Sequence, residues 1–172
     1  MFYLIALVLT AGVVVALDLV SKVLTDGNVT EVIPGFVSFV SSHNTGAGWS
    51  LFEGAMWLFI PMAIIFSVGI LVFEVFFNNK FKNPIYWLGM GLMLGGIIGN
   101  LVDRIAFGYV RDFLRFEFMN FPTFNVADMA LTFGVIFIAI YMLFLYEPKR
   151  KKFGESEKMF VKPSQIFKKK DK

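Results

Sequence analysis

The chain has 172 residues, of which 57% are hydrophobic and 17% charged, with a net charge of +3. Soluble proteins run at about 45–50% and about 25% respectively, and a chain this short cannot hide such an apolar excess in a water-soluble core. Composition therefore points to one domain in a membrane. The absence of Cys removes disulfides, thiolate nucleophiles and thiolate metal sites, and the single His43 leaves no His-rich metal cluster.

Residues 1–17, 54–73, 83–102 and 129–146 carry no charge, in runs of 17, 20, 20 and 18 residues. About 20 residues of helix cross a hydrocarbon layer, so four transmembrane helices are predicted. The first run lacks the basic start of a removable signal peptide and is expected to be retained. Loop 25–53 contains no Lys or Arg, whereas loop 78–82 holds Lys80 and Lys82. From Glu147 onward the chain holds 10 of its 16 basic residues against four acids. Positive charge stays in the cytoplasm, so both termini are expected there. The division is a membrane domain over 1–148 and a basic cytoplasmic tail over 149–172. That tail is expected to anchor topology at anionic lipid; no fold supports nucleic-acid binding.

At the end of the first span, Asp18 and Lys22 stand four apart with the acid first, the favoured order for a helical pair. Loop 25–53 reads as short strands, Val29–Ile33 and Phe36–Val40 flanking the turn Pro34-Gly35, followed by His43-Asn44-Thr45-Gly46-Ala47. His43 is read as a hydrogen-bonded loop residue. In the third span, opened by Asn83-Pro84, Gly91, Gly95 and Gly99 form a stripe for close helix packing. Gly96, Asn100, Asp103 and Arg104 share a neighbouring face. Asn125 is a good N-cap for the fourth helix and puts Asp128 at its third position, where helix dipole and free N–H groups favour a carboxylate.

Asp112 lies among Phe113, Phe116 and Phe118 at membrane depth, which capping does not explain. Two close carboxylates at a dry edge cannot both ionise, so one is protonated while the other acts as base on water. This is aspartic peptidase chemistry, and it needs neither metal nor cofactor. The helix end favours Asp128 as the ionised partner and the aromatic loop favours Asp112 as the proton holder. On that reading Asp128 accepts backbone or Asn125 hydrogen bonds that Asp112 lacks.

Asp18-x-x-Ser21-Lys22, Asn44-Thr45-Gly46-Ala47, Gly95 to Arg104 (GGIIGNLVDR), Val110-Arg111-Asp112-Phe113 and Phe124-Asn125-Val126-Ala127-Asp128 together resemble the bacterial lipoprotein signal peptidases, or signal peptidase II. The blocks occur in family order on the expected four spans. The resemblance implies an intramembrane aspartic endopeptidase of the cytoplasmic membrane with its site near the outer face. It implies cleavage of prolipoprotein signal peptides just before a diacylglyceryl-modified Cys, and inhibition by globomycin. The catalytic pair falls on Asp112 and Asp128. Supporting or substrate-binding residues fall on Asn100, Asp103, Arg104, Asn125, Asp18, Lys22, Asn44 and Gly46. The implied fold is all-α, with an extracytoplasmic β-cradle over 25–53 and a short surface helix near 113–121, within loop 104–124. A monomer is expected, with substrate and bilayer as its partners.

Two positions depart from the family pattern. Leu19 stands where Gln is common, and Arg111 precedes Asp112 where an apolar residue is common. Neighbouring side chains in an extended segment point oppositely, so Arg111 is expected to face lipid headgroups. Two rival readings fit the sequence less well. A serine protease would rest on Ser21 with Lys22, which are adjacent and cannot face each other on a helix, or on Ser50 with His43, which lack a third member. A small transporter or channel would need polar residues at mid-depth, and the spans' middles are apolar.

Overall fold

A computed structural model describes residues 2–46, 52–77, 81 and 83–146. The expected basic loop at Lys80 and Lys82, Ser50, and the tail from 147 lie outside the described residues. Among the described residues four helices are long and apolar enough to cross a membrane: α1 (Phe2–Thr25), α2 (Met56–Phe77), α3 (Pro84–Phe107) and α4 (Val126–Ile140), which runs on through a π-helical turn at Tyr141–Leu145. Three strands are found beside them: β1 (Thr30–Ile33), β2 (Val37–Asn44) and β3 (Val110–Phe116).

The helix ends follow from local chemistry. Asn83 Oδ1 accepts the Ile85 N–H at the start of α3, with Pro84 in the first turn, and Gly108 ends the helix at φ 77°, a left-handed conformation that favours glycine. Asn125 caps α4 with a reciprocal box. Its side chain accepts the Asp128 N–H, and the Asp128 side chain accepts the Asn125 N–H.

Helix α3 is the centre of the bundle, packed on α1 and α4 with α2 leaning on its remaining side. The glycine stripe explains the closeness of α1. A Cβ on Gly95 would lie 2.6 Å from Val14 Cβ and 2.8 Å from the Ala11 carbonyl oxygen, and one on Gly99 would lie 2.7 Å from Asp18 Oδ2. Gly96 turns the other way, toward the Ala127 carbonyl and Leu131 of α4. Gly95→Ala must therefore push backbone apart, and it is expected to lower stability by about 1–3 kcal/mol as overpacking does. Thermal unfolding in detergent measures this.

The strands form an antiparallel sheet in the order β1-β2-β3. Pro34-Gly35-Phe36 turns β1 into β2, and Gly35 takes φ 69°. β3 returns from the far side of α3 to pair with β2, placing Ser42 opposite Asp112, His43 opposite Arg111 and Asn44 opposite Val110. The surface helix expected near 113–121 is not formed. Phe113–Phe116 belong to β3, and residues 117–119 are bends. Alternating bulky residues suit a pleated strand, and the N–H groups of Phe113 and Leu114 donate to the Phe124 carbonyl. Phe36, Phe116, Phe118, Phe121 and Phe124 gather into one ring cluster there.

At the opposite end of the bundle, the Tyr86 hydroxyl of α3 donates to Glu74 Oε1 of α2 at 2.7 Å, both residues buried. Nothing in the charge pattern flagged this tie. Tyr86→Phe strands a buried carboxylate, and we expect a loss of about 1–3 kcal/mol in the same unfolding measurement.

Candidate active site

The sheet end of the bundle gathers polar side chains that no helix interior in lipid would hold without partners. On α1, Lys22 Nζ meets Asp18 Oδ2 at 2.6 Å, Asp103 Oδ2 at 3.2 Å and Asn100 Oδ1 at 3.2 Å, with Lys22, Asp18 and Asp103 almost fully buried. The other Asp18 oxygen accepts the Ala127 N–H at 2.9 Å. Asp18 therefore serves the first turn of α4, where helical N–H groups have no partner of their own. Asp18 thus ties α1 to α4, and Lys22 ties it to α3.

Asp103 also receives Arg111. The guanidinium donates to Oδ1 at 2.8 Å and to Oδ2 at 3.3 Å, and the Arg111 N–H adds a bond at 3.0 Å. Arg111 thus does not face headgroups. It points away from Asp112, as strand alternation requires, but that direction leads to a buried carboxylate. Its cation also lies 4.6 Å over the Phe107 ring.

Asn100 and Asn125 connect this support to the two candidate catalytic acids. Asn100 Nδ2 donates to Asp128 Oδ1 at 2.7 Å, and its Oδ1 accepts Asn125 Nδ2 at 3.1 Å. The same Asn125 Nδ2 donates to Asp112 Oδ1 at 2.6 Å, while the Asn125 backbone N–H donates to Asp128 Oδ2 at 3.1 Å. Asn44 Nδ2 completes Asp112 with a bond to Oδ2 at 2.9 Å. Both carboxylates hang on Asn125. The expectation about their donors is met in one half only: Asp128 accepts a backbone N–H, but Asp112 is equally well supplied, and the Asn125 amide serves Asp112.

Asp112 is 2% exposed. Burial, then the neighbouring Asp128 carboxylate, push its pKa up to about 7, against the pull of the Asn44 and Asn125 hydrogen bonds.

Both acids line a cavity of about 800 Å³. Phe59, Met62 and Phe66 of α2 and Leu131 and Phe133 of α4 make apolar walls, and Arg104 stands beside the acids. Asn44 Oδ1 holds the Gly46 N–H at 2.9 Å, and the Gly46 carbonyl accepts Arg104 Nη2 at 3.4 Å. Arg104 also lies 5.0 Å over the Phe59 ring. Among the described residues it has no ion-pair partner, unlike Lys22, Arg111 and Arg115.

All ten residues singled out in the sequence therefore meet at one end of the bundle. Ser21 donates to the Asp18 carbonyl and His43 stacks on Tyr109, so neither is drawn into the network. Sequence reasoning missed the cavity's α2 wall. Phe59, Met62 and Phe66 are ordinary span residues, and only their three- and four-residue spacing could have marked a common face.

Four membrane-length helices around buried acids at the end of an apolar cavity define a multi-pass membrane enzyme. A family model described as signal peptidase (SPase) II matches residues 10–144. The lipoprotein signal peptidase of Enterococcus faecalis is 45% identical over 140 residues, covering 78% of this chain and 86% of the relative. That of Listeria monocytogenes is 39% identical over 136 residues, covering 75% and 87%. A solved bacterial membrane enzyme, determined in meso at 1.9 Å, superposes with a TM-score of 0.72 at 34% identity over 82% of this chain and 94% of its own. The chain belongs to the signal peptidase II family and is a membrane protease of lipoprotein processing.

Proposed function

We propose that Asp112 and Asp128 are the catalytic pair of an intramembrane aspartic endopeptidase. Its substrate is a prolipoprotein already carrying diacylglycerol, and it cuts just before the modified Cys. The observation that carries this reading is the pair itself: Asp112, buried, and Asp128, half-buried, share Asn125 at the end of a cavity lined by α2, α3 and α4.

The steps balance simply. Asp112, protonated, donates a hydrogen bond to the scissile carbonyl. Asp128 takes a proton from water, whose oxygen adds to the carbonyl carbon. The tetrahedral intermediate collapses as the amine nitrogen receives that proton, and the C–N bond breaks. The pair ends with the single proton it started with. Cleavage then requires Asp112 to keep its proton, so activity present at lower pH declines as pH rises through about 7. Because the Asn125 amide favours the charged form of Asp112, Asn125→Ala is expected to move this basic limb to higher pH. An unmoved limb in the pH–rate profile would remove Asn125 from that role.

The apolar walls suit acyl chains and the apolar core of a signal peptide. Each CH₂ moved out of water contributes about 0.8 kcal/mol, so diacylglyceryl-modified precursor is expected to be cut far better than the same precursor unmodified. Equal rates would point to a general signal peptidase. A globomycin-type cyclic peptide would compete for the same cavity, and a monomer suffices because this one chain carries both acids.

The sheet end is assigned to the outer face of the cytoplasmic membrane and both termini to the cytoplasm, from the Lys and Arg distribution. Residues 1–148 form the peptidase domain and 149–172 the tail. As the chain has no Cys, single-Cys variants at Glu31 and Lys158 can be labelled in intact cells. Label at position 31 alone is the expected result.

A further inference from the structure

A second, much smaller cavity lies behind the first. Its volume is about 10 Å³, and Asp112 contributes to the walls of both. That volume is close to the room one water molecule needs. Its remaining walls come from the end of α1 (Lys22, Thr25) and Asp26 just beyond it, from β2 (Val40 to His43), and from Arg111 and Phe113 of β3. Thr25, Ser42 and Asp112 supply the polar partners that a buried water requires. Asp26, Ser41 and His43 are exposed, so the cavity sits between Asp112 and the aqueous side of the sheet rather than the lipid side.

The position matters because of what the large cavity must hold. A signal peptide and two acyl chains filling an apolar space exclude water from it, yet each turnover consumes one water. We propose that the small cavity is a water port: it holds the hydrolytic water, drawn from the aqueous side, against Asp112 while substrate occupies the large cavity. This rests on the reading of Asp112 and Asp128 as the catalytic pair. From the port a water passes along the Asp112 carboxylate to Asp128, gives up its proton there and adds its oxygen to the scissile carbonyl. No other reactant enters.

Thr25 and Val40 stand on opposite walls, both 7% exposed, and neither bonds a catalytic acid. Filling the port from either wall, with Thr25→Leu or Val40→Phe, should lower kcat about tenfold or more, an added barrier near 1.4 kcal/mol. KM should stay in place, because the large cavity is untouched, and the basic limb of the pH–rate profile should not move to lower pH, since taking water away from Asp112 favours its protonated form. Thr25→Ser and Val40→Ala, which leave the port open, should keep the parent kcat.

The test is kcat, KM and the pH–rate profile for these four variants in lipid, with Asp112→Asn in the same assay. Two filling variants that keep the parent kcat would overturn the port. So would Val40→Ala slowing the enzyme as much as Val40→Phe, since packing alone would then explain both. If Asp112→Asn itself still cleaves, the catalytic pair has failed and not merely the port.

Discussion

Asp112→Asn and Asp128→Asn are each expected to reduce cleavage of diacylglyceryl-modified precursor by roughly 10⁴-fold, with the double variant little worse than either, as for residues that act as one unit. Asn keeps the size and most hydrogen-bonding capacity of Asp, so the fold should survive and only the shared proton is lost. Stability provides the check. A buried acid whose folded-state pKa is raised from 3.8 to about 7 disfavours the folded state increasingly as pH rises between those values. Asp112→Asn should therefore unfold at a higher temperature than the parent at pH 8, and at a similar one at pH 4. Thermal midpoints at the two pH values, beside the cleavage rates, separate a chemical loss from a misfolded protein. Ser21→Ala, which removes only a hydroxyl bonded to the Asp18 carbonyl, should leave cleavage intact.

The second large effect is expected at Lys22. Its ammonium sits within 3.2 Å of Asp18, Asp103 and Asn100, and none of the three charged side chains is exposed. Lys22→Met leaves two carboxylates facing each other without their cation, and removing one partner of a buried pair costs about 3–5 kcal/mol. Arg111 still neutralises part of Asp103. Asp18 has no such reserve, and its hold on the Ala127 N–H at the start of α4 should weaken with it. Activity should fall together with stability, because Asp128 stands one residue beyond Ala127. Adding Asp18→Asn to Lys22→Met should restore part of the lost stability. No recovery in the thermal midpoint would mean that Lys22 acts through packing and not through charge.

Much of this arrangement was legible in the chain itself. The spans could be read because charges are expensive in lipid and so mark helix ends, from Asp18 and Lys22 to Asp103 and Asp128. The Asn125 cap could be read because its chemistry is local, confined to four residues. The turn at Pro34-Gly35 was legible for the same reason. What escaped was non-local. Alternation told which way Arg111 turns from Asp112 but not what lies there, since Asp103 is brought opposite only when β3 pairs with β2. The pairing of β3 also replaces the surface helix that the resemblance implied near 113–121, and Phe116 packs instead on Phe36 and Phe124. Asp18 reads as half of an i, i+4 pair, and nothing in α1 indicates that its other oxygen serves α4, 109 residues away. Glu74 looks like the charge that closes a span, and its hydroxyl partner lies on the next helix.

Activation of water by two carboxylates, with no covalent enzyme intermediate, leaves its mark at the new C-terminus of the released signal peptide. Cleavage of diacylglyceryl-modified precursor is run in the presence of hydroxylamine and the peptide is weighed by mass spectrometry. Direct attack by water predicts a free carboxyl group alone, at every hydroxylamine concentration. A hydroxamate at that terminus, rising with hydroxylamine, would reveal an acyl-enzyme and rule out direct attack by water.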